Sequence, residues 1–203
     1  MKNCLREPLA IIFQAAETLR SAVDAHNSGD QETAARLFGE TNLCEIRDWT
    51  ESLWGAANNK YVGHRRELRK HGVLSKPERV AKRMPNLAEQ KRILKRDGFH
   101  CRFCGIPVIH ERIRKKIHRS YPGSVPWGRT NLSQHAAFQA MWLQFDHLLP
   151  HSAGGTNSLN NILITCAPCN YGKSDYTIEE LGLTDPFCRG AFKSDWNGLE
   201  DFK

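Results

Sequence analysis

The chain has 203 residues, 40% of them hydrophobic, and a formal net charge of +7. This length allows one ordinary domain, or a small domain with an added helical bundle, and the composition is that of a globular protein. No apolar run approaches the roughly 20 residues of a membrane-spanning helix, and the first apolar segment is too short for a secretory signal. We therefore expect a cytoplasmic protein that does not contact membranes.

Residues 1–57 have the periodicity of helices. Between Leu9 and His26, apolar residues recur at steps of three and four, which places them on one helix face. That predicted inward face consists of Leu9, Ile12, Phe13, Ala16, Leu19 and Val23. A Ser-Gly pair then ends the helix, and Asp30 is the predicted N-cap of a second one. With a third helix up to Trp54, this region packs as a bundle or against the later domain, and it is a candidate surface for a homodimer or a partner protein.

Positive charge is concentrated in residues 58–119, which carry nineteen lysines and arginines against five acids. Such a block is typical of a nucleic-acid-binding surface, although a solvated helix surface has the same composition. Glycines and prolines divide residues 58–91, the basic connector, into short pieces. A helix follows and is predicted to end at Gly98. The candidate nucleic-acid contacts in this block are Lys91, Arg92, Lys95, Arg96, Lys115 and Lys116.

Four of the seven cysteines form two Cys-x-x-Cys pairs, Cys101 with Cys104 and Cys166 with Cys169. Four thiolates suit tetrahedral zinc, and closing both pairs on one ion contributes on the order of 10 kcal/mol to folding. An iron–sulfur cluster uses the same ligands, and a redox pair needs a strand–helix context that neither pair shows. The sequence favours a structural zinc ion.

Residues 105–142 separate the two pairs and are interpreted as an insertion. They contain a basic helical stretch, a loop rich in glycine and proline, and a predicted helix that begins at Asn131 or Ser133 and leads into Asp146. In this insertion Trp127, Arg129 and His135 either pack or contact nucleic acid, and packing is favoured.

The stretch from residue 143 to 173, LQFDHLLPHSAGGTNSLNNILITCAPCNYGK, combines several groups with chemical potential. It contains Asp146 beside His147, a glycine pair, and an asparagine after the second Cys-x-x-Cys. Carboxylate and amide oxygens are ligands for hard divalent cations. An imidazole near neutral pKa can remove a proton from an attacking water while a metal stabilises a phosphodiester.

The order of these elements resembles the HNH (ββα-metal) endonucleases over about residues 92–177. The resemblance implies that Asp146 and Asn170 bind a catalytic Mg²⁺ or Mn²⁺ and that His147 is the general base. It also implies that Asn161 fixes the loop and the orientation of His147. His151 is an additional candidate, and Lys173 either holds a phosphate or caps its helix. Position 170 holds asparagine where many members of the family have histidine, which favours Mg²⁺ or Mn²⁺ over softer ions.

The sequence thus predicts an α+β, mainly helical protein with a ββα-metal HNH nuclease domain and a helical N-terminal bundle. The predicted divisions are residues 1–57, the connector 58–91, the nuclease domain 92–185 and a C-terminal tail 186–203. The predicted function is metal-dependent hydrolysis of DNA, with RNA the less favoured substrate, in a setting such as restriction or phage defence. The alternative is a non-catalytic, zinc-stabilised module that binds nucleic acid or protein.

Overall fold

A computed structural model describes residues 1–54 and 71–203, without the side chain of Trp54. The side chain of Trp54 and most of the first half of the connector therefore lie outside the described residues. The α-helices are α1 (Ala10–Asn27), α2 (Gln31–Glu40), α3 (Cys44–Trp54), α4 (Leu87–Asp97), α5 (Glu111–Ser120), α6 (Ala136–Ala140) and α7 (Ala167–Lys173). The strands β1 (Leu143–His147) and β2 (Ile162–Cys166) form an antiparallel sheet that leads directly into α7. The predicted α+β, mainly helical class with a ββα unit is confirmed. Within the described ranges, no helix has both the length and the apolar character needed to cross a bilayer.

Helix α1 is amphipathic as predicted, with one exception on its inward face. Ile12 and Leu19 are fully buried, whereas Phe13 is 39% exposed, so its predicted inward position is wrong. The buried stripe extends instead towards Ala15 and Ala22 on its other side. Successive residues of an α-helix are rotated by about 100° about its axis, so Phe13, which follows Ile12, lies beyond the edge of the buried stripe.

The N-terminal helices share one hydrophobic core with the C-terminal half. The turn after α1 forms as predicted, with Gly29 at a φ of +92° and Asp30 accepting a hydrogen bond from the backbone N–H of Thr33. Helix α2 packs on α1, while α3 packs on α6 and α7. Trp49 on α3 is buried, and its indole N–H donates to the carbonyl of Glu7. Of the two predicted packing arrangements, contact with the later domain is therefore present.

Helix α4 ends where the sequence predicts, but α6 begins later than expected. Gly98 follows α4 with a φ of +69°, a conformation that glycine adopts without strain. Residues Asn131–Ser133 form a short 3₁₀ turn, and α6 starts only at Ala136. The backbone N–H of His135 is bound by the carbonyl of Pro126, 2.9 Å away. This bond to the preceding loop holds the segment extended and delays the helix.

A buried carboxylate connects α4 to the sheet. Asp97 is 1% exposed and accepts a hydrogen bond of 3.0 Å from the backbone N–H of Ile164 in β2. Its second partner is Arg96, at 2.5 Å, which also donates to the carbonyl of Ile162. Arg96, one of the predicted nucleic-acid contacts, is thus occupied by partners within the protein.

Removing this carboxylate is expected to destabilise the fold strongly. Asp97→Ala leaves the Ile164 amide and the arginine without their buried acceptor, and we expect a loss of about 3–5 kcal/mol in the free energy of unfolding. Asp195→Ala is the matched control, because Asp195 pairs with Arg20 at the surface and is 82% exposed. The control should lose far less, because an exposed ion pair contributes little to stability. Chemical denaturation measures both, and equal losses would contradict the assigned role of Asp97.

Candidate active site and metal centre

The structure brings the two Cys-x-x-Cys pairs together. The four Sγ atoms all lie within 4.8 Å of one another, and those of Cys104 and Cys166 are 3.6 Å apart. Thiolates at the corners of a zinc tetrahedron, each about 2.3 Å from the ion, stand about 3.8 Å apart. All four cysteines are buried. The cluster can therefore hold a metal ion such as zinc.

Backbone hydrogen bonds attach the first cysteine pair to the sheet that carries the second. The N–H of Arg102 donates to the carbonyl of Ile164 at 2.8 Å, and Gly105 closes the turn with a φ of +79°. Burial, together with the neighbouring thiols, raises the pKa of Cys104 well above its ordinary value. Ionisation of such thiols in the interior requires a compensating cation, which fits the chemistry of a metal centre.

Asp146 and Asn170 line one cavity of about 810 Å³, together with His147 and Lys173. Asp146 and His147 occupy the end of β1, where they pair with Leu163 and Ile162 of β2. Asn170 and Lys173 are supplied by α7, which begins directly after β2. Strand β1 and helix α7 thus place the predicted site residues around the same cavity.

The Asp146 carboxylate is 5% exposed and only half satisfied. Its Oδ1 lies 3.3 Å from Nζ of Lys173, whereas Oδ2 has no hydrogen-bond partner among the described residues. Burial raises the pKa of Asp146 to about 6, and Lys173 opposes this shift. An unpartnered buried carboxylate oxygen is costly unless a cation or a donor meets it.

An amide faces the same space. Nδ2 of Asn170 is 3.4 Å from Oε1 of Gln144, which lies two residues before Asp146 on β1. In this weak hydrogen bond the amide nitrogen of Asn170 faces Gln144, so the amide oxygen of Asn170 can serve as a metal ligand. A carboxylate oxygen and an amide oxygen suit a hard divalent cation, so the residues fit the implied metal. Gln144 was not predicted from the sequence, and a strand position next to an Asp-His pair gives little signal.

His147 is held by a residue that the sequence analysis missed. Its Nε2 is 3.0 Å from Oδ1 of Asn157, and Nδ2 of Asn157 donates to the carbonyl of Lys82 at 2.9 Å. Because the amide presents its oxygen to the ring, Nε2 carries the proton and Nδ1 is the nitrogen that can accept one. Burial lowers the pKa of His147, which keeps the imidazole neutral near pH 7.

Asn161 fixes the loop between the strands. Its side chain accepts from the N–H of Leu149 at 2.8 Å and donates to the carbonyls of Leu149 and Thr156. Gly155 packs so closely that an added Cβ would lie 1.9 Å from the carbonyl oxygen of Leu149. The hydrogen bond that orients the His147 ring is made with Asn157 and not with Asn161. Both asparagines lie in the loop between β1 and β2.

Two further predicted residues also line the cavity. His151 donates from Nε2 to the carbonyl of Val80 at 2.8 Å, and its ring centroid is 5.8 Å from that of His147. Lys173 is 1% exposed and is directed at Asp146. Its Nζ also donates to the carbonyl of Ser174, the residue after α7, at 3.4 Å, which is a helix-capping contact of the kind that the sequence suggested.

The basic residues predicted to contact nucleic acid lie elsewhere. Lys91, Arg92 and Lys95 are exposed on α4. On α5, Lys115 pairs with Glu111, and Lys116 donates to the carbonyl of Phe202. Within the described part of the chain, the cations at the cavity besides Lys173 are Lys76, Arg79 and Arg83.

The aromatic residues of the insertion pack inside the protein. His135 is fully buried, and its Nε2 donates to the carbonyl of Phe38. The guanidinium of Arg114 lies 3.5 Å above the ring of Trp127. These contacts agree with the packing interpretation of both residues.

Comparison with known proteins gives one finding. Residues 136–183 match the family model described as HNH endonuclease. No curated protein and no solved structure shows a significant match. The matched segment contains β1, β2, α7 and the second cysteine pair, whereas the first pair lies before it. The resemblance drawn from the Asp-His, glycine-pair and Cys-x-x-Cys-Asn motif is confirmed, because the segment that carries this motif is similar to the HNH endonuclease family over residues 136–183.

Proposed function

We propose that the protein is a metal-dependent HNH endonuclease that hydrolyses phosphodiester bonds of DNA. The observation that supports this most directly is the shared cavity of Asp146, His147 and Asn170, which opens beside a scaffold joined by four buried cysteines. A module that only binds nucleic acid has no need of a neutral, oriented imidazole next to a half-satisfied carboxylate.

In the proposed reaction, Nδ1 of His147 accepts the proton of the attacking water while Asn157 holds the ring through Nε2. Asp146 and Asn170 would hold the divalent cation, Mg²⁺ or Mn²⁺. When bound, such an ion neutralises phosphate oxygens and favours ionisation of water. The loop fixed by Asn161 keeps His147 at the wall of the cavity. Products with 5′-phosphate and 3′-hydroxyl ends are expected from the family.

The proposal also covers the metal centre, the cellular location and the biological role. Cys101, Cys104, Cys166 and Cys169 would hold one structural Zn²⁺. A cytoplasmic location is part of the proposal, because four of the seven cysteines are grouped as metal ligands, as is usual in a compartment that keeps thiols reduced. Restriction or phage defence, and a homodimer or partner protein at the N-terminal helices, remain predictions from the sequence.

Replacing the proposed base tests the activity. His147→Ala should reduce the rate of plasmid nicking with Mg²⁺ or Mn²⁺ by about 10²-fold or more, because general base catalysis contributes about 10² to 10⁴-fold. His118→Ala is the control, since His118 contacts the carbonyl of Val125 away from the cavity. Equal nicking by the His147→Ala variant and the unaltered protein would discard the catalytic assignment and leave the binding module as the better account.

Replacing one cysteine of the cluster tests the zinc ion. Cys166→Ser should abolish the single equivalent of zinc measured by elemental analysis and lower the thermal midpoint strongly, because metal binding contributes to folding. Cys188→Ser is the matched control, since this thiol is exposed and outside the cluster. Zinc retained at full stoichiometry by Cys166→Ser would contradict the proposed ligand set.

Lys173 is expected to compete with the catalytic cation. Its ammonium lies 3.3 Å from Oδ1 of Asp146, so Lys173→Met removes a positive charge from the place where a cation would bind. At pH 8, well above the pKa of about 6 that Asp146 has beside Lys173 in the unaltered protein, calorimetry should show Mn²⁺ bound about tenfold more tightly by the variant. Unchanged or weaker Mn²⁺ binding would show that Lys173 does not oppose the ion.

A further inference from the structure

A short basic segment forms one wall of the active-site cavity. Lys76, Arg79 and Arg83 all line the cavity that contains Asp146 and His147. We call residues 74–84, which carry these three cations and Lys82, the basic arm. It follows the undescribed stretch of the connector and precedes α4. The carboxylates that line the same cavity are those of Asp146 and Asp175, so the wall formed by the arm supplies an excess of positive charge.

Three hydrogen bonds fix the basic arm to the loop between β1 and β2. The N–H of Leu74 donates to the carbonyl of Ser152 at 2.8 Å, and His151 donates to the carbonyl of Val80 at 2.8 Å. Asn157 donates to the carbonyl of Lys82 at 2.9 Å. All three bonds use the backbone of the arm and none of its lysine or arginine side chains.

The basic arm also has internal support. The N–H of Ser75 donates to Oε2 of Glu78 at 2.8 Å, and Pro77 restricts the backbone between them. Nε of Arg79 donates to the carbonyl of Leu74 at 2.9 Å. That bond fixes the stem of the half-buried arginine at the cavity wall. The backbone of the arm is therefore fixed beside the cavity, and Arg79 is the cation whose side chain is also held in place.

We propose that the basic arm binds the DNA phosphates that flank the scissile bond, and that Asn157 links the arm to the general base. This proposal rests on the proposed function, because it assigns the substrate contacts of the same site. Arginine suits the geometry of phosphate, and lysine adds a point charge. Since Asn157 contacts both Lys82 and His147, substrate held on the arm lies in a fixed relation to the imidazole. The predicted phosphate surfaces on α4 and α5 are then secondary.

Duplex binding by charge-neutral variants tests the arm. In a His147→Ala background, with Ca²⁺ in place of Mg²⁺, fluorescence anisotropy with a labelled duplex should show weaker binding by Lys76→Gln, Arg79→Gln and Arg83→Gln. Each replacement should also lower the slope of log K against log salt by about 1, as expected when one phosphate contact is lost. The triple variant should lose about tenfold or more in affinity at moderate salt.

Arg36→Gln is the matched control, because it removes the same charge from an exposed helix of the N-terminal region. It should bind DNA like the background protein. A double variant, Lys115→Gln with Lys116→Gln, tests the alternative DNA-binding surface on α5. The proposal is overturned if this pair weakens binding while the arm variants do not, or if Arg36→Gln weakens it as much as they do. Zinc content and circular dichroism verify that each variant is folded.

The outcome can be separated from failure of the proposed function. If the unaltered protein nicks plasmid DNA but the arm variants bind like the background, the arm assignment alone is wrong. If the arm variants lose binding, the assignment of the surface holds even where nicking is absent and the catalytic proposal fails. With nicking present, the arm variants on the active protein should raise KM more than they lower kcat.

Discussion

The contact between two distant cysteine pairs is the constraint on which the ββα unit depends. Cys101 and Cys104 precede the insertion, Cys166 and Cys169 follow it, and their sulfur atoms meet in the interior. The second pair lies where β2 passes into α7, so the cluster determines the position of the helix that carries Asn170 and Lys173. Buried thiols provide little stability by themselves, and a bound ion would turn their proximity into folding free energy.

This scaffold supports a site whose charged and polar side chains are buried, where their hydration is lost. Asp146 is buried, one of its oxygens has no hydrogen-bond partner in the part of the chain that the structure describes, and Lys173 supplies the compensating charge. His147 is kept neutral by burial and is held at Nε2 by Asn157. Each of these features costs stability or restricts movement, and together they leave one carboxylate oxygen and one ring nitrogen available for chemistry.

Sequence patterns predict the local elements well and the links between distant segments poorly. The Asp-His motif, the glycine pair and Cys-x-x-Cys-Asn predicted the ββα unit, because each of these motifs corresponds to one local element: a strand end, a turn and a helix start. Phe13 was misplaced because periodicity does not locate the centre of a buried stripe. Asn157, Gln144 and Arg79 were missed, since their roles depend on which segments the fold brings to the cavity, and Arg96 was assigned to DNA although Asp97 binds it inside the fold.

Anomalous diffraction from crystals soaked in Mn²⁺ tests the central claim most directly, because it distinguishes zinc from manganese by their absorption edges. The account predicts a zinc peak among Cys101, Cys104, Cys166 and Cys169. It also predicts a manganese peak within about 2.2 Å of oxygen atoms of Asp146 and Asn170, with His147 facing the same cavity. A manganese peak confined to other sites, or a cysteine cluster without zinc, would contradict it.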